Sequence, residues 1–286
     1  MNILPRFISL CLTLILLSPA LAKDLEVKPT LIFGVVPQQA SAKLAQSWSP
    51  LLALLSQNAN IRVQFATAPD IPTFEARLAA GEYDIAYMNP YHYAVFSRAD
   101  HYKALARERD KQLQGIIVVR KDAPYSEITQ LDGKTLAFPA PAAFAASVLP
   151  RANLSRLGLS NEIRYIGSHD SVYLAVARGL ADAGGGVQRT FANMTPKTRE
   201  QLRVLWRTPG YTPHAIATHV RLDEALRQRL LAALVSLPGT QAGQAALDAI
   251  GFRPLVEASD SDWDDVRALQ LGELSQPLKS TEGGAP

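Results

Sequence analysis

A single cysteine, Cys11, is all the thiol this 286-residue chain holds, and it lies in an apolar run near the N-terminus. Past that run, disulfides, thiolate metal sites and a cysteine nucleophile are excluded. Charge is sparse as well: 29 basic and 26 acidic residues are interspersed, with no basic block and no basic–aromatic alternation. No nucleic-acid partner is therefore expected. G-x-S-x-G, H-E-x-x-H and phosphate-cradling P-loop motifs are all missing. Gly184-Gly185-Gly186 lacks dinucleotide-site spacing and reads instead as a close approach of backbone. Neither catalysis nor a cofactor is expected.

What is present begins with a leader pattern. Arg6 supplies a positive start, Phe7 opens an apolar run that ends at Leu17, and Ser18-Pro19-Ala20-Leu21-Ala22 closes with an A-x-A cleavage signature. The run is shorter than the roughly 20 residues that span a bilayer. Residues 1–22 are thus expected to be a cleaved export signal. About 264 residues remain, with net charge about +2, enough to bury a core without disulfides.

The remainder alternates strand and helix patterns, so the expected class is α/β: two lobes, each a mainly parallel sheet flanked by helices. Leu31-Ile32-Phe33-Gly34-Val35-Val36 reads as a strand buried on both faces. A helix follows with Leu44, Trp48, Leu51, Leu52 and Leu55 on one stripe and a kink expected at Pro50. Asp70 is placed to cap a helix with Pro72 in its first turn. Further strands are expected at 61–66, 83–87, 115–120, 134–138, 164–166, 202–207 and 214–220. Later helices follow Pro141 and His169 and cover 223–236, 241–250 and 260–272.

One phrase recurs. Ala79-Ala80-Gly81-Glu82-Tyr83-Asp84-Ile85-Ala86 returns about 98 residues later as Ala177-Arg178-Gly179-Leu180-Ala181-Asp182-Ala183-Gly184. Each stops a helix at a glycine and puts an acid before a buried strand, which points to two similar lobes. The expected boundaries are 23–114 for lobe I, 115–208 for lobe II, 209–274 for the return to lobe I, and 275–286 for a loose tail.

Ligands of open α/β sheets bind beyond the carboxyl ends of strands, where helix N-termini offer free N–H groups. Four turns fall there, and from them the candidate site residues are Gln38, Ser41, Asn89, Tyr91, Ala143, Phe144, His169 and Ser171. Asn89, Ser168 and Ser171 also read as ordinary helix caps.

The same stretches carry a resemblance. Phe33-Gly34-Val35-Val36-Pro37-Gln38, Trp48-Ser49-Pro50-Leu51, Asp84-Ile85-Ala86, Leu131-Asp132-Gly133-Lys134-Thr135 and Gly167-Ser168-His169-Asp170 occur in an order that resembles the periplasmic phosphonate/phosphate/phosphite-binding proteins of ABC importers. The resemblance covers most of the chain after residue 22. It implies a type II periplasmic-binding fold with a two-strand hinge, a periplasmic monomer, a small anionic ligand and a membrane permease as partner. A membrane sensor kinase is the alternative partner.

The resemblance carries over to the site only in part. It places His169 where the family contacts an oxyanion. The family's hydroxyl-rich Ser/Thr/Ser turn corresponds to Ala143, Phe144 and Ala145 here, and two pocket tyrosines correspond to Ile71 and Leu113. The acids that hold an aminophosphonate's ammonium correspond to Arg189 and His214, which join the candidate site as added positive charge. On their own, Arg189 also reads as a solvated helix start, His214 as a structural hydrogen-bonding residue, and Phe144 as core. The expectation is a small carboxylate, sulfonate or other sulfur oxyanion in preference to 2-aminoethylphosphonate.

Two other classes of reading meet obstacles. Ser168, His169, Asp170 and Ser171 are contiguous and diverge, unlike a hydrolytic triad. His92, His169 and His214 lack the spacing typical of metal ligands.

Overall fold

The computed structural model describes residues 28–98 and 101–269; the expected signal and tail lie outside the described residues. The first apolar run forms β1 (Thr30–Val35), followed by α1 (Ser41–Asn58), β2 (Arg62–Ala66), α2 (Ile71–Ala79), β3 (Ile85–Met88), α3 (Pro90–Phe96) and β4 (Tyr102–Glu108). The chain then crosses into β5 (Gly115–Arg120), β6 (Thr135–Phe138), α4 (Leu149–Arg156), β7 (Glu162–Tyr165) and α5 (His169–Ala177). After these come β8 (Ala183–Val187), α6 (Gln188–Ala192), α7 (Pro196–Arg199) and β9 (Leu202–Arg207). It returns as β10 (Ala215–His219), α8 (Glu224–Val235), α9 (Gln241–Ala249), β11 (Leu255–Glu257) and α10 (Asp264–Arg267). Of the described part of the helix expected at 260–272, residues 260–267 are helical, the first four as a 3₁₀ turn.

Two sheets result, in the orders β11-β4-β10-β3-β1-β2 and β7-β6-β8-β5-β9. Both are mixed, not mainly parallel as expected. Only β1–β2, β1–β3, β6–β7 and β6–β8 pair in parallel. The reason is the double crossing: β5 and β10 enter their sheets from the hinge and so run against the strands that lead towards it. Between the lobes the two crossing segments bond to each other, Leu113 N–H to Tyr211 O at 2.7 Å and the reverse at 3.0 Å.

The α1 stripe is buried as its spacing requires, with Leu51 and Leu55 fully enclosed. Each such leucine contributes about 1.5–3 kcal/mol. The helix runs on through Pro50, which cannot donate to the preceding turn; Ser49 Oγ donates to Ala45 O at 2.6 Å. Asp70 caps α2 as expected, accepting from Thr73 N–H at 2.8 Å.

The repeated phrase is the same device in both lobes. Gly81 and Gly179 adopt φ of 67° and 71° after their helices, a region favourable to glycine. Asp84 then accepts from Ile32 N–H at 2.7 Å and donates its own N–H to Ile32 O at 2.9 Å. Asp182 does the same with Thr135, at 3.0 and 2.9 Å. Each aspartate thereby ties its own strand to the central strand beside it.

Glycine is required in β8 by close approach. A Cβ on Gly185 would lie 1.9 Å from Ala146 O, and one on Gly186 2.0 Å from the Tyr173 hydroxyl. Their absence lets α5 and the turn before α4 rest directly on the strand.

Candidate functional site

The helix expected after Pro141 starts as a π-helical turn, Phe144–Val148, before α4. Its wide winding sends Ser147 and Val148 N–H back to Ala143 O. The N–H groups of Phe144, Ala145 and Ala146 have no acceptor among the described residues. These residues, with Ala143, line one wall of a cavity between the lobes. Turns of this kind often mark functional positions.

His169, the first residue of α5, contributes to the same wall from lobe II. Its Nδ1 meets Thr190 Oγ1 at 3.1 Å, and Tyr173 OH meets that oxygen at 2.8 Å. Thr190 has one hydroxyl proton and two acceptors for it, His169 Nδ1 and Val187 O, the latter at 3.0 Å. With the proton on the Nδ1 contact, Nε2 carries the ring proton as a donor; with it on Val187 O, Nδ1 is the donor and Nε2 an acceptor. Burial, helped by the Arg189 charge, lowers the His169 pKa to about 3, so the ring is neutral.

The opposing wall belongs to lobe I: Val36 and Gln38 after β1, Ile71 at the start of α2, and Asn89 before α3. Asn89 Oδ1 caps α3 through His92 N–H at 2.8 Å, and its amide reaches Ala142 O across the lobes at 3.3 Å. His214 and Val187 close the hinge end. Among the described residues, no serine, threonine, tyrosine, aspartate or glutamate lines this cavity, whose volume is about 10 Å³, room for roughly one water.

Arg189, offered by the sequence as added positive charge at the site or as a solvated helix start, is engaged by side chains of lobe I in this arrangement. Its Nη2 donates to Tyr87 OH at 2.8 Å and Gln38 Oε1 at 3.2 Å, its Nη1 lies 3.8 Å from Glu108, and its guanidinium covers the Phe252 ring. It is a lobe II residue built into lobe I. Burial opposes its charge, and Tyr87 and Glu108 more than offset that, so its pKa rises.

Arg189 also fixes His214. Because Gln38 Oε1 accepts from Arg189, the Gln38 amide N–H donates to His214 Nε2 at 2.8 Å. The imidazole proton is then on Nδ1. Burial first, then Arg189, hold the His214 pKa well below the usual imidazole range. His214 therefore adds no positive charge at neutral pH, contrary to expectation. It stacks on Tyr87 at 4.8 Å.

Three candidates are not brought into the cavity. Ser41 is exposed on the first turn of α1. Ser171 is occupied with Ser168, which caps α5. Tyr91 is buried within α3, apart from the lining residues. Serine at a helix start satisfies the backbone locally as readily as it meets a ligand. Leu113 lies on the hinge, apart from the inter-lobe cavity. Val36, Ala146 and Val187, which also line the cavity, were not candidates, since apolar linings carry no chemical signal in sequence. Thr190 had one: it lies in the first turn of the helix that follows β8, as His169 does in the helix that follows β7.

A cleft walled by turns from two lobes, with two chain crossings at its base, defines a periplasmic-binding clamp, a class that captures solutes. Residues 33–263 match the family described as "ABC transporter, phosphonate, periplasmic substrate-binding protein", and the chain belongs to that family. It is 23% identical over 288 residues to the phosphonates-binding periplasmic protein of Escherichia coli K12, covering 94% of this chain and 83% of that one. It is also 23% identical to the phosphate-import protein PhnD of Mycolicibacterium smegmatis, over 83% of this chain and 84% of that one. PhnD1 of Prochlorococcus marinus MIT 9301, solved with methylphosphonate, superposes with a TM-score of 0.77 at 18% identity, covering 84% of this chain and 97% of that one.

Proposed function

We propose that this chain captures a small, singly charged oxyanion between its lobes, at the inter-lobe cavity, which widens beyond its present volume to admit it, and delivers it to a membrane permease. In this reading it is a periplasmic monomer released from its leader after Ala22, with the lobe boundaries given above. The supporting observation is the lining itself: backbone N–H groups, two neutral imidazoles and two amides, without a hydroxyl or a carboxylate. A dianionic phosphonate needs compensating charge that neutral histidines do not supply, and each unmet buried polar group costs about 1–3 kcal/mol. An ammonium would find no acid.

Calorimetric titration tests the reading. Methanesulfonate or acetate is expected to bind more tightly than 2-aminoethylphosphonate, and His169→Ala is expected to weaken the preferred anion at least tenfold, about 1.4 kcal/mol. Micromolar binding of 2-aminoethylphosphonate to the parent would overturn it. If the purified permease fails to respond to the loaded protein while a sensor kinase does, the partner assignment changes and the ligand assignment stands.

A further inference from the structure

Residues 260–267, the 3₁₀ turn and α10, grip three parts of lobe I at once. On α3, Tyr93 OH donates to Asp260 Oδ1 at 2.8 Å, and Ser97 Oγ accepts from Arg267 Nη2 at 3.1 Å. On β4, the Arg107 guanidinium lies 3.2 Å from Asp262 Oδ2. The third part is the return crossing. There Asp265 Oδ2 accepts the Thr212 N–H at 2.7 Å, Asp262 O accepts the Thr212 hydroxyl at 2.7 Å, and the Trp263 indole N–H donates to Pro213 O at 2.9 Å.

These last three bonds fall on the two residues immediately before His214. The Pro213 carbonyl and the His214 N–H share one peptide plane, so the indole that holds the first sets the direction of the second. The Pro213 ring fixes its own φ, and Thr212 is held at both its N–H and its hydroxyl. Little rotation is left upstream of His214, whose ring in turn receives the Gln38 amide at 2.8 Å and stacks on Tyr87. Trp263 is firmly seated: it is fully buried, with its ring 4.4 Å from that of Tyr93. A buried indole N–H finds some acceptor in most cores. Here the acceptor is the peptide that opens onto the cleft, and the exposed Asp265 of the same segment grips the residue before it.

We propose that Trp263, with Asp265, is a positioning residue for anion capture: the segment 260–265 fixes the return crossing, and through it the backbone and ring of His214 at the hinge end of the inter-lobe cavity. The proposal rests on the inter-lobe reading of the ligand site. Neither residue is among the described residues that line the cavity; both act through residues 212–214.

Three variants of the full chain test it. Trp263→Phe keeps an aromatic ring beside Tyr93 but loses the N–H, and Asp265→Ala removes an exposed acceptor. Tyr102→Phe is the matched control, because Tyr102 is also buried and donates to a backbone carbonyl, Tyr83 O at 3.0 Å. It sits beside His219, at the end of β4 and β10 away from the hinge. Trp263→Phe and Asp265→Ala are each expected to weaken methanesulfonate about three- to tenfold, the range that one lost hydrogen bond spans. Tyr102→Phe is expected to stay within about twofold of the parent while losing thermal stability much as Trp263→Phe does. In nitrogen-15 NMR spectra the His214 ring and backbone signals are expected to move in the first two variants and to stay in place in the third. Unmoved His214 signals in both Trp263→Phe and Asp265→Ala overturn the proposal, as does an equal loss of affinity in Tyr102→Phe. Should Trp263→Phe fail to fold, Asp265→Ala decides by the same two measurements. If the parent does not bind methanesulfonate, the inter-lobe reading alone falls, and the His214 signals decide the positioning role.

Discussion

A buried histidine held neutral is a stability device with a definite sign. An unfolded imidazole titrates near 6.5, and His169 in the fold titrates at about 3. Between those values the unfolded chain binds the extra proton, so folding stability is complete above about pH 6.5 and is lost as pH falls towards 3. At full slope the loss is about 1.4 kcal/mol per pH unit, and His214 adds a loss of the same sign. Urea unfolding at about pH 7, 5.5 and 4.5 is expected to show this decline, and His169→Gln to flatten it. Equal stability across the series would mean that the native ring takes up its proton freely. At this scale the sequence pointed to Gln38, Asn89 and His169 through their places after strands, and to Arg189 and His214 only through the family resemblance. It concealed their partners: that Arg189 ends on Tyr87 and Gln38 depends on 102- and 151-residue separations that no local pattern encodes.

Strands and helices declared themselves wherever periodicity or caps were strong. β5 and β9 fall at their expected residues, as does the Asp70 cap. β4 and β11 went unread, the first because Lys103 and Arg107 interrupt its apolar pattern, the second because three residues make no pattern. The π turn was illegible for a different reason: it is imposed by packing against β5 and β8. A Cβ on Gly115 would sit 2.0 Å from Ala145 O, just as one on Gly185 would press on Ala146 O. Gly185→Ala is therefore expected to cost about 3 kcal/mol by overpacking and to weaken anion binding by displacing the turn's N–H groups. Gly239→Ala, where a Cβ meets nothing within 4 Å, is the control and is expected to stay within about 0.5 kcal/mol of the parent. Thermal unfolding and titration of the two variants side by side check this; equal effects would show that β8 tolerates a side chain.

Between the lobes, hydrogen bonds among the described residues include Arg189 to Tyr87 and Gln38, Lys43 Nζ to Asn193 O at 2.7 Å, and Asn89 to Ala142 O. Only the first is both charged and largely buried, with 21% of the Arg189 side chain exposed. Arg189→Ala is expected to shift the population towards parted lobes, read as a larger radius of gyration in solution scattering. An unchanged scattering profile would mean that the remaining contacts hold the lobes by themselves. The two-lobed plan was visible in the duplicated Gly-x-x-Asp phrase. The mixed strand directions were not, because they follow from where the chain crosses, and sequence spacing is blind to that.

The position of β10 between β3 and β4 also sets an order of events. β3 and β4 are close in sequence yet never pair, and the gap between them stays open until residues 215–219 arrive. Lobe II closes its sheet within one continuous stretch, from β5 to β9, with no such wait. A growing chain can thus complete its second lobe while the first still lacks its middle strand. Pairings this distant are slow to form. That delay keeps the larger sheet unlocked until nearly all of the polypeptide exists.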